Sequence, residues 1–338
     1  MHTSSANLRS TEIEIIKIIE AASRVESRGL LVGPGDDCAL VRPPEGEDLL
    51  LTKDCMVEGV HFSTDYFSPE AVGRRLAVAN LSDIGASGGR SIWALLGLGF
   101  DPKRPISYYA RLIDGLLGAL KEDNVALAGG DTVASPRGIF LSLTLIGKTP
   151  KGRSISRRGA RPGDVILSSG SLGGSHAGLL ALTQKLTTSI PYPMMRCLKK
   201  LHICPQYPKG LGEALLEADC VTSAIDSSDG LAKDLRHIGE MSGVRCILYK
   251  EKIPIPRPAR YLARIMGMRP YELALRGGED FALIWTTPSE RLKEARRIAS
   301  SLGHRAFEIG RIEAGSGLFL EDSHGLQKEV LEYGYTHK

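Results

Sequence analysis

Acidic residues recur where apolar runs stop. GPGDDCAL places Asp36 and Asp37 side by side after a Gly-Pro-Gly turn. Leu51-Thr52-Lys53-Asp54, Ala128-Gly129-Gly130-Asp131 and Ala224-Ile225-Asp226 each end an apolar run on an acid, with Asp229 soon after the last. Asp83 follows a helical run in NLSD, and Glu279 and Asp280 follow Gly277-Gly278. Acids at strand ends converge when neighbouring strands finish near one edge. Gathered without compensation they repel, and several must take up protons. A hard divalent cation removes that conflict. No Cys/His set accompanies the acids, so the chemistry points to Mg²⁺ and away from zinc. Mg²⁺ takes one or two carboxylates together with waters and phosphate oxygens, so many carboxylates imply several ions around a polyphosphate. An Asp after glycine is also a common turn residue bonding its own backbone. That reading serves any single acid better than it serves a pattern that returns four times. Asp229 equally suits a helix first turn, with Ser227 or Ser228 as cap.

These acids need strands and helices to hold them. Residues 11–28 read as an amphipathic helix with Thr11 as cap. LLLTKD (49–54) reads as a strand ending in an acid. FSPEAVGRRLAVANLSDIGASGG opens a helix, with Ser68 capping, Pro69 in the first turn and Glu70 complementing the dipole. SIWALLGLGF (91–100) and GIFLSLTLIGK (138–148) read as strands, and 105–124 as a helix with Leu112, Leu116 and Leu120 on one face. VALAGGD (125–131) reads as a strand running into a glycine turn. KGRSISRRGARPGD (151–164) is basic, glycine-rich and poor in apolar residues, a connection between domains 1–150 and 151–338. A second alternation follows: strand from Val165, helix 177–185, strand 221–225, helix 231–241, strand 281–286. SGSLGGSHAG (169–178) lacks both the GK[ST] ending of a P-loop and a full GxGxxG, and reads as a tight strand–helix turn. The fold class is α/β, in α+β layers.

Composition narrows the classes. A run of about 18 uncharged apolar residues, as a membrane helix needs, is absent. The N-terminus alternates charge with isoleucine and lacks the apolar core of a signal peptide. Six cysteines without CxxC spacing fit reduced thiols in a cytoplasm. A net charge of +4, spread along the chain, asks for no nucleic acid.

Taken in order, GPGDDCALV, TKDCMVEGVHF, NLSDIGASGG, AGGDTV, GRSISRRGARPGD, IDSSDGLAKDL and GGEDFAL resemble the thiamine-monophosphate kinases, from about Gly33 to the GYTH near the C-terminus. The resemblance implies an aminoimidazole-synthetase-like fold of two α/β domains. The N-terminal domain would pair with its twin into a dimeric β-barrel, and ATP would lie between the domains. It implies that Asp37 is a metal ligand with Asp36 nearby, and that Thr52, Lys53 and Asp54 sit on a metal-binding turn. Asp83, Asp131, Asp226 and Asp229 would be further Mg²⁺ ligands. Gly130 and Asp131 would meet the ATP phosphates, Arg157 the nucleotide, and Ser228 the ATP. His61, Glu279 and Tyr335 would contact thiamine monophosphate. Lys53 stands where the family often has threonine, and STEIEII stands where a Gly-Glu-Phe turn is usual.

The implied reaction joins two anions. Positioning and electrostatic stabilisation dominate phosphoryl transfer, and an already ionised phosphate nucleophile needs no general base. Direct in-line transfer with Mg²⁺ and ATP, in a cytoplasmic homodimer, is the expectation. Other readings are an aminoimidazole-synthetase-like ATP-dependent enzyme, and a nucleotide-binding paralogue without turnover. ADP release with thiamine monophosphate as sole acceptor separates all three.

Overall fold

A computed structural model describes residues 11–23, 28–32, 38, 40–184 and 190–331. The chain divides into two compact units, one of residues 1–80 with 91–148, the other of 81–90 with 149–338.

The first unit opens with α1 (Glu12–Ala22). Thr11 accepts the Glu14 amide while Glu14 returns a bond to the Thr11 amide, a complete capping box. The sequence-predicted helix reached residue 28; the observed helix stops at Ala22, and 24–27 lie outside the described residues. Strands β1 (Leu30–Val32) and β2 (Leu40–Val41) form an antiparallel pair. The main sheet has the order β3-β6-β4-β5, from β3 (Glu47–Val57), β4 (Arg90–Phe100), β5 (Ala126–Ala134) and β6 (Phe140–Pro150), with β4 and β5 parallel. Helices α2 (Pro69–Ala86) and α3 (Ile106–Glu122) accompany it. Ser68 Oγ accepts the Ala71 amide at the start of α2, as the sequence predicted. Leu112, Leu116 and Leu120 of α3 are fully buried. The two helices approach closely through glycines. A Cβ on Gly73 would lie 2.0 Å from the Leu112 carbonyl oxygen, and one on Gly115 2.0 Å from that of Glu70.

Three local expectations are corrected here. Asp54 does not end its strand, because β3 continues through Cys55, Met56 and Val57. Gly129-Gly130-Asp131 is no turn but the middle of β5. The register against β4 slips beside it, and a Cβ on Gly130 would fall 1.9 Å from the Leu96 carbonyl oxygen, so glycine serves close strand approach there. Asp83 lies inside α2 rather than after it.

The second unit is built on a seven-stranded sheet ordered β13-β12-β9-β11-β7-β10-β8. Its strands are β7 (Val165–Ser168), β8 (Ser223–Asp226), β9 (Arg245–Tyr249), β10 (Leu283–Thr287), β11 (Phe307–Glu313), β12 (Leu318–Glu321) and β13 (Gln327–Glu329). The β9–β12 pair is parallel, while β10 runs antiparallel to both β7 and β8. Both faces are covered. Ile166, Ile225, Leu248 and Ile284 point into a core with α4 (Gly174–Thr183), α5 (Tyr192–Ile203), α7 (Leu231–Ser242), α8 (Arg257–Ile265) and α9 (Pro270–Arg276). Their strand neighbours Leu167, Ala224, Leu283 and Trp285 pack with α6 (Leu211–Glu217) and α10 (Leu292–Ser301). Alternation of side chains along each strand splits the two cores, and cover on both faces explains the near-continuous apolar character of these strands. Lys151–Asp164 carries no helix or strand.

Candidate active site

Strand direction gathers the chemistry of the second unit. Because β10 is antiparallel to β7 and β8, its start lies beside their ends: Leu283 pairs with Asp226, and Ile284 with Ser168. The Asp226–Gly230 loop, the Ser169–Gly173 loop and the Gly277–Ala282 loop therefore meet at one sheet end. Backbone bonds join two of them: the Glu279 amide donates to the Ser228 carbonyl (2.9 Å), the Phe281 amide to that of Ser227 (2.9 Å), and the Ser227 amide to that of Ala282 (2.8 Å). This places Asp226, Ser228, Asp229 and Glu279, all expected from sequence, in one cluster.

The Gly277–Ala282 loop is tightly constrained. Glu279 and Phe281 hold φ of +63° and +50°, a region that side chains disfavour and that recurs at functional sites. A Cβ on Gly278 would sit 1.8 Å from the Ser228 carbonyl oxygen, and one on Gly277 2.1 Å from the His176 Cβ. Between the two strained residues, Asp280 points inward and accepts the amides of Gly173 (2.5 Å) and Ser175 (2.9 Å) at the start of α4. The glycine-rich 169–178 segment is thus a strand–helix turn as expected, and the chain's own carboxylate occupies its amides.

Burial pushes the Asp280 carboxyl up to about 7, with Glu279 adding to the rise and the α4 amides opposing it. A carboxyl whose folded value exceeds its unfolded one favours folding at low pH. That contribution is complete below about 4 and is lost as pH rises through about 7. We expect thermal stability to carry a component that falls between about pH 4 and 7 and is missing in Asp280→Asn. Melting curves across that range check it, and parallel profiles for the two proteins would refute it.

Asp226 closes β8 at 3% exposure and accepts the Ser82 hydroxyl at 2.6 Å. Ser82 neighbours Asp83 on the last turns of α2, within the 81–90 segment that belongs to this unit. A Cβ on Gly212 would lie 1.9 Å from the Gly85 carbonyl oxygen, so glycine lets α6 close on that segment. Ser82, Gly85, Tyr207, Asp226, Phe281 and Leu283 border a small cleft. Asp229 precedes α7 and pairs with Lys233 at 2.6 Å. Neither Ser227 nor Ser228 caps that helix, whose N-cap is Gly230 without a side-chain bond. Asp234, in the first turn of α7, is 1% exposed and receives the Asp229 amide at 3.4 Å. Its Oδ2 and the buried Ser227 Oγ have no hydrogen-bond partner. Burial, then the nearby charges of Asp226 and Asp229, hold the Asp234 carboxyl well above the usual range. Arg157 is exposed on the irregular 151–164 segment, where the Ser156 carbonyl accepts the Ala224 amide alongside β8 (3.1 Å).

The first unit holds its own acids. Thr52 and Asp54 alternate with exposed Lys53 on β3, so the expected metal-binding turn is a straight strand with Lys53 on the opposite face. The Asp54 amide donates to Asn80 Oδ1 at 3.2 Å, and Asn80 is itself fully buried on α2. Asp131, exposed on β5 opposite Gly97, accepts the Thr132 amide at 2.9 Å, and Gly130 precedes it. β3 and β5 are the two edges of the sheet, three strand spacings or about 14 Å apart along it. Asp54 and Asp131 are therefore not brought together within this sheet. His61 accepts the Val57 amide on Nδ1 at 3.0 Å, which leaves its proton on Nε2 when the ring is neutral. Asp36, Asp37 and Tyr335 lie outside the described residues.

The donors in the second-unit cluster are carboxylate and hydroxyl oxygens, the set a hard divalent cation takes. The unpartnered Asp234 Oδ2 and Ser227 Oγ add unused oxygen donors there. Among the described residues, no three of His, Cys, Asp or Glu close tightly enough to hold an ion alone. Magnesium held by one or two carboxylates draws its remaining ligands from phosphate and water. Sequence reasoning missed Ser82, Lys233, Asp234 and the anchoring role of Asp280. Only the first had a signal, its place beside Asp83 in NLSD.

Comparison with known proteins defines the class. The family models described as AIR synthase related protein, N-terminal domain, and AIR synthase related protein, C-terminal domain, match residues 35–149 and 161–323. The fold is thus the two-domain fold of the AIR synthase related proteins. A thiamine-monophosphate kinase of Aquifex aeolicus is 34% identical over 307 residues, covering 90% of this chain and 92% of its own. The thiamine-monophosphate kinase structure from Stenotrophomonas maltophilia K279a superposes with a TM-score of 0.82 at 31% identity, over 92% of this chain and 96% of that one. The structure of AaThiL complexed with AMPPCP and TMP gives 0.77 at 31% identity over 100% of both. The chain belongs to the thiamine-monophosphate kinase family.

Proposed function

We infer that this chain transfers the terminal phosphoryl group of ATP to thiamine monophosphate, releasing thiamine diphosphate and ADP. One observation carries the reading: a full-length structural relative at 31% identity is complexed with AMPPCP, an ATP analogue, and TMP. The experiment is ADP release with thiamine monophosphate as sole acceptor. Release without that acceptor, or none with it, would reject the reading.

Asp83, Asp226 and Asp229 of the second unit, and Thr52, the Lys53 backbone, Asp54 and Asp131 of the first, are proposed to hold magnesium, with Asp37 from outside the described residues. Bound there, magnesium supplies charge neutralisation on the phosphates as charge moves to the leaving ADP. The protein's own work is positional. Ser82 fixes the Asp226 carboxylate, and the paired loops fix Ser228 and Glu279 relative to it. Gly130, Arg157 and Ser228 are assigned to ATP. His61, whose Nε2 carries the proton when the ring is neutral, is assigned to the substrate phosphate, and Glu279 and Tyr335 to the ring end. The substrate phosphate is itself the nucleophile, so direct in-line transfer needs no base.

Thiamine carries a fixed positive charge, and a carboxylate reads it electrostatically. Glu279→Gln keeps size and removes charge. Its KM for thiamine monophosphate should rise about tenfold with KM for ATP unchanged, the pattern of lost uniform binding. Steady-state kinetics varying each substrate checks this; an ATP-specific defect would place Glu279 on the nucleotide.

The first unit is proposed to pair with a second copy, its sheet forming half of a barrel. Leu49, Leu51 and Val57 on edge strand β3 are exposed (Leu51 at 70%), as are Phe140 on β6 and Val133 on β5. Exposed apolar residues on a sheet ask for cover. Light scattering should report a dimer at micromolar concentration; a monomer refutes the pairing. The reaction is assigned to the cytoplasm, in keeping with six free cysteines. No helix among the described residues is long and apolar enough to cross a membrane.

A further inference from the structure

Glu58 is the acid of the VEGVHF stretch that the metal and substrate assignments leave unused. It follows the last residue of β3 and opens the turn that carries His61. That turn is closed from within. The Val60 and His61 amides donate to the Val57 carbonyl (3.1 and 2.9 Å), the Gly59 amide to that of Phe62 (2.8 Å), and the Val57 amide to His61 Nδ1 (3.0 Å). We propose that Glu58 is a positioning residue for the phosphate acceptor: its carboxylate ties this turn to the rest of the first unit and so sets the ring of His61. The proposal rests on the reading that His61 meets the phosphate of thiamine monophosphate.

Three observations carry it. First, Glu58 clasps the turn to the Gly138–Ile139 corner at two points. Its amide donates to the Ile139 carbonyl (3.0 Å), and the Ile139 amide donates to its Oε2 (2.9 Å). A Cβ on Gly138 would lie 3.0 Å from that oxygen, and Gly138 holds φ of +68°, so glycine lets the corner close there. Second, the other carboxylate oxygen, Oε1, accepts Arg104 Nη2 from the connection between β4 and α3, and the Thr64 hydroxyl (3.4 Å) just past the turn. One carboxylate thus joins three stretches far apart in the chain. The pair with Arg104 is largely withdrawn from water, its side chains 18% and 23% exposed, and so is screened less than a surface pair. The Arg104 guanidinium also stacks over the Tyr108 ring at 4.8 Å. Third, the clasp acts next to the ring's own support. Val57, which donates to Nδ1 and accepts the His61 amide, is the peptide neighbour of Glu58. Buried Phe62 anchors the far end of the turn, while Val60 in its middle is exposed.

The consequence is a fixed proton. With Nδ1 accepting the Val57 amide, the neutral ring keeps its hydrogen on Nε2. A turn loosened at Glu58 loses that preference, and the ring no longer presents one donor at one place. A phosphate that must attack in line is sensitive to small displacements of its holder.

Steady-state kinetics and ring-nitrogen NMR on the full chain with isotope-labelled histidine test this. Glu58→Ala should raise KM for thiamine monophosphate about tenfold, leave KM for ATP unchanged, and turn the single His61 tautomer into a mixture. If Glu58→Ala does not fold, Glu58→Gln carries the same comparison. It keeps an oxygen for the Ile139 amide and loses the charge facing Arg104, so the rise should be about threefold. A wild-type tautomer in the variant, or an equal rise in KM for both substrates, overturns the proposal and leaves the reading of His61 standing. His61→Asn with the wild-type KM for thiamine monophosphate overturns that reading, and with it the part of Glu58 in the reaction.

Discussion

Asp226→Asn should lower turnover by about three orders of magnitude while the protein stays folded. The substitution keeps shape and keeps an oxygen for the Ser82 hydroxyl, which donates to Oδ2 at 2.6 Å. What it removes is negative charge at the end of β8, where magnesium and the transferring phosphates are proposed to bind. Stability should hold or rise slightly. Asp226 and Asp229 both push the buried Asp234 toward its neutral form, so the acids of the cluster repel one another. Neutralising one member relieves that. Steady-state kinetics and a melting curve on the same preparation check both halves. Turnover within tenfold of wild type would remove Asp226 from the chemistry. Lost folding would recast it as structural.

Gly278→Ala should destabilise the protein by about 3 kcal/mol and raise KM for thiamine monophosphate. The new methyl carbon would lie 1.8 Å from the Ser228 carbonyl oxygen and 2.8 Å from the Asp229 amide nitrogen. Both neighbours are backbone, so neither can turn aside as a side chain would. The loops joined by the Glu279–Ser228 and Phe281–Ser227 bonds must separate. Glu279 and Phe281 already hold strained backbone and have little slack to absorb the shift. Urea denaturation measures the stability loss. An alanine variant of wild-type stability would mean that the two loops are not locked together as described.

Much of this organisation is legible in single residues. Thr11 with Glu14, Ser68 before Pro69, and the Leu112, Leu116 and Leu120 stripe each name a local structure, because caps and helical faces depend on residues a few positions apart. The end of β8 at Asp226 was readable for the same reason. Local rules failed at Asp54 and Asp131. A strand continues as long as a neighbour offers backbone partners, and that partner lies far along the chain. Gly129-Gly130 has the composition of a turn, but Gly130 answers to the backbone of Leu96 across the sheet.

The order of the motifs determined the family, the reaction class and most candidate residues, since residue type sets which atoms bind phosphate, metal or a cation. Tertiary structure alone decided which of them meet. The antiparallel seat of β10 between β7 and β8 brings Glu279 and Asp280 to Asp226, although more than fifty residues separate them in the chain. The same topology sends the Asp280 carboxylate into the Gly173 and Ser175 amides at the start of α4. Asp54 and Asp131, alike in sequence as acids after apolar runs, fall on opposite edges of one sheet. Lys233 and Asp234, adjacent in the chain, divide into a half-buried charge paired with Asp229 and a buried acid, because one turn of α7 faces outward on one side and the core on the other.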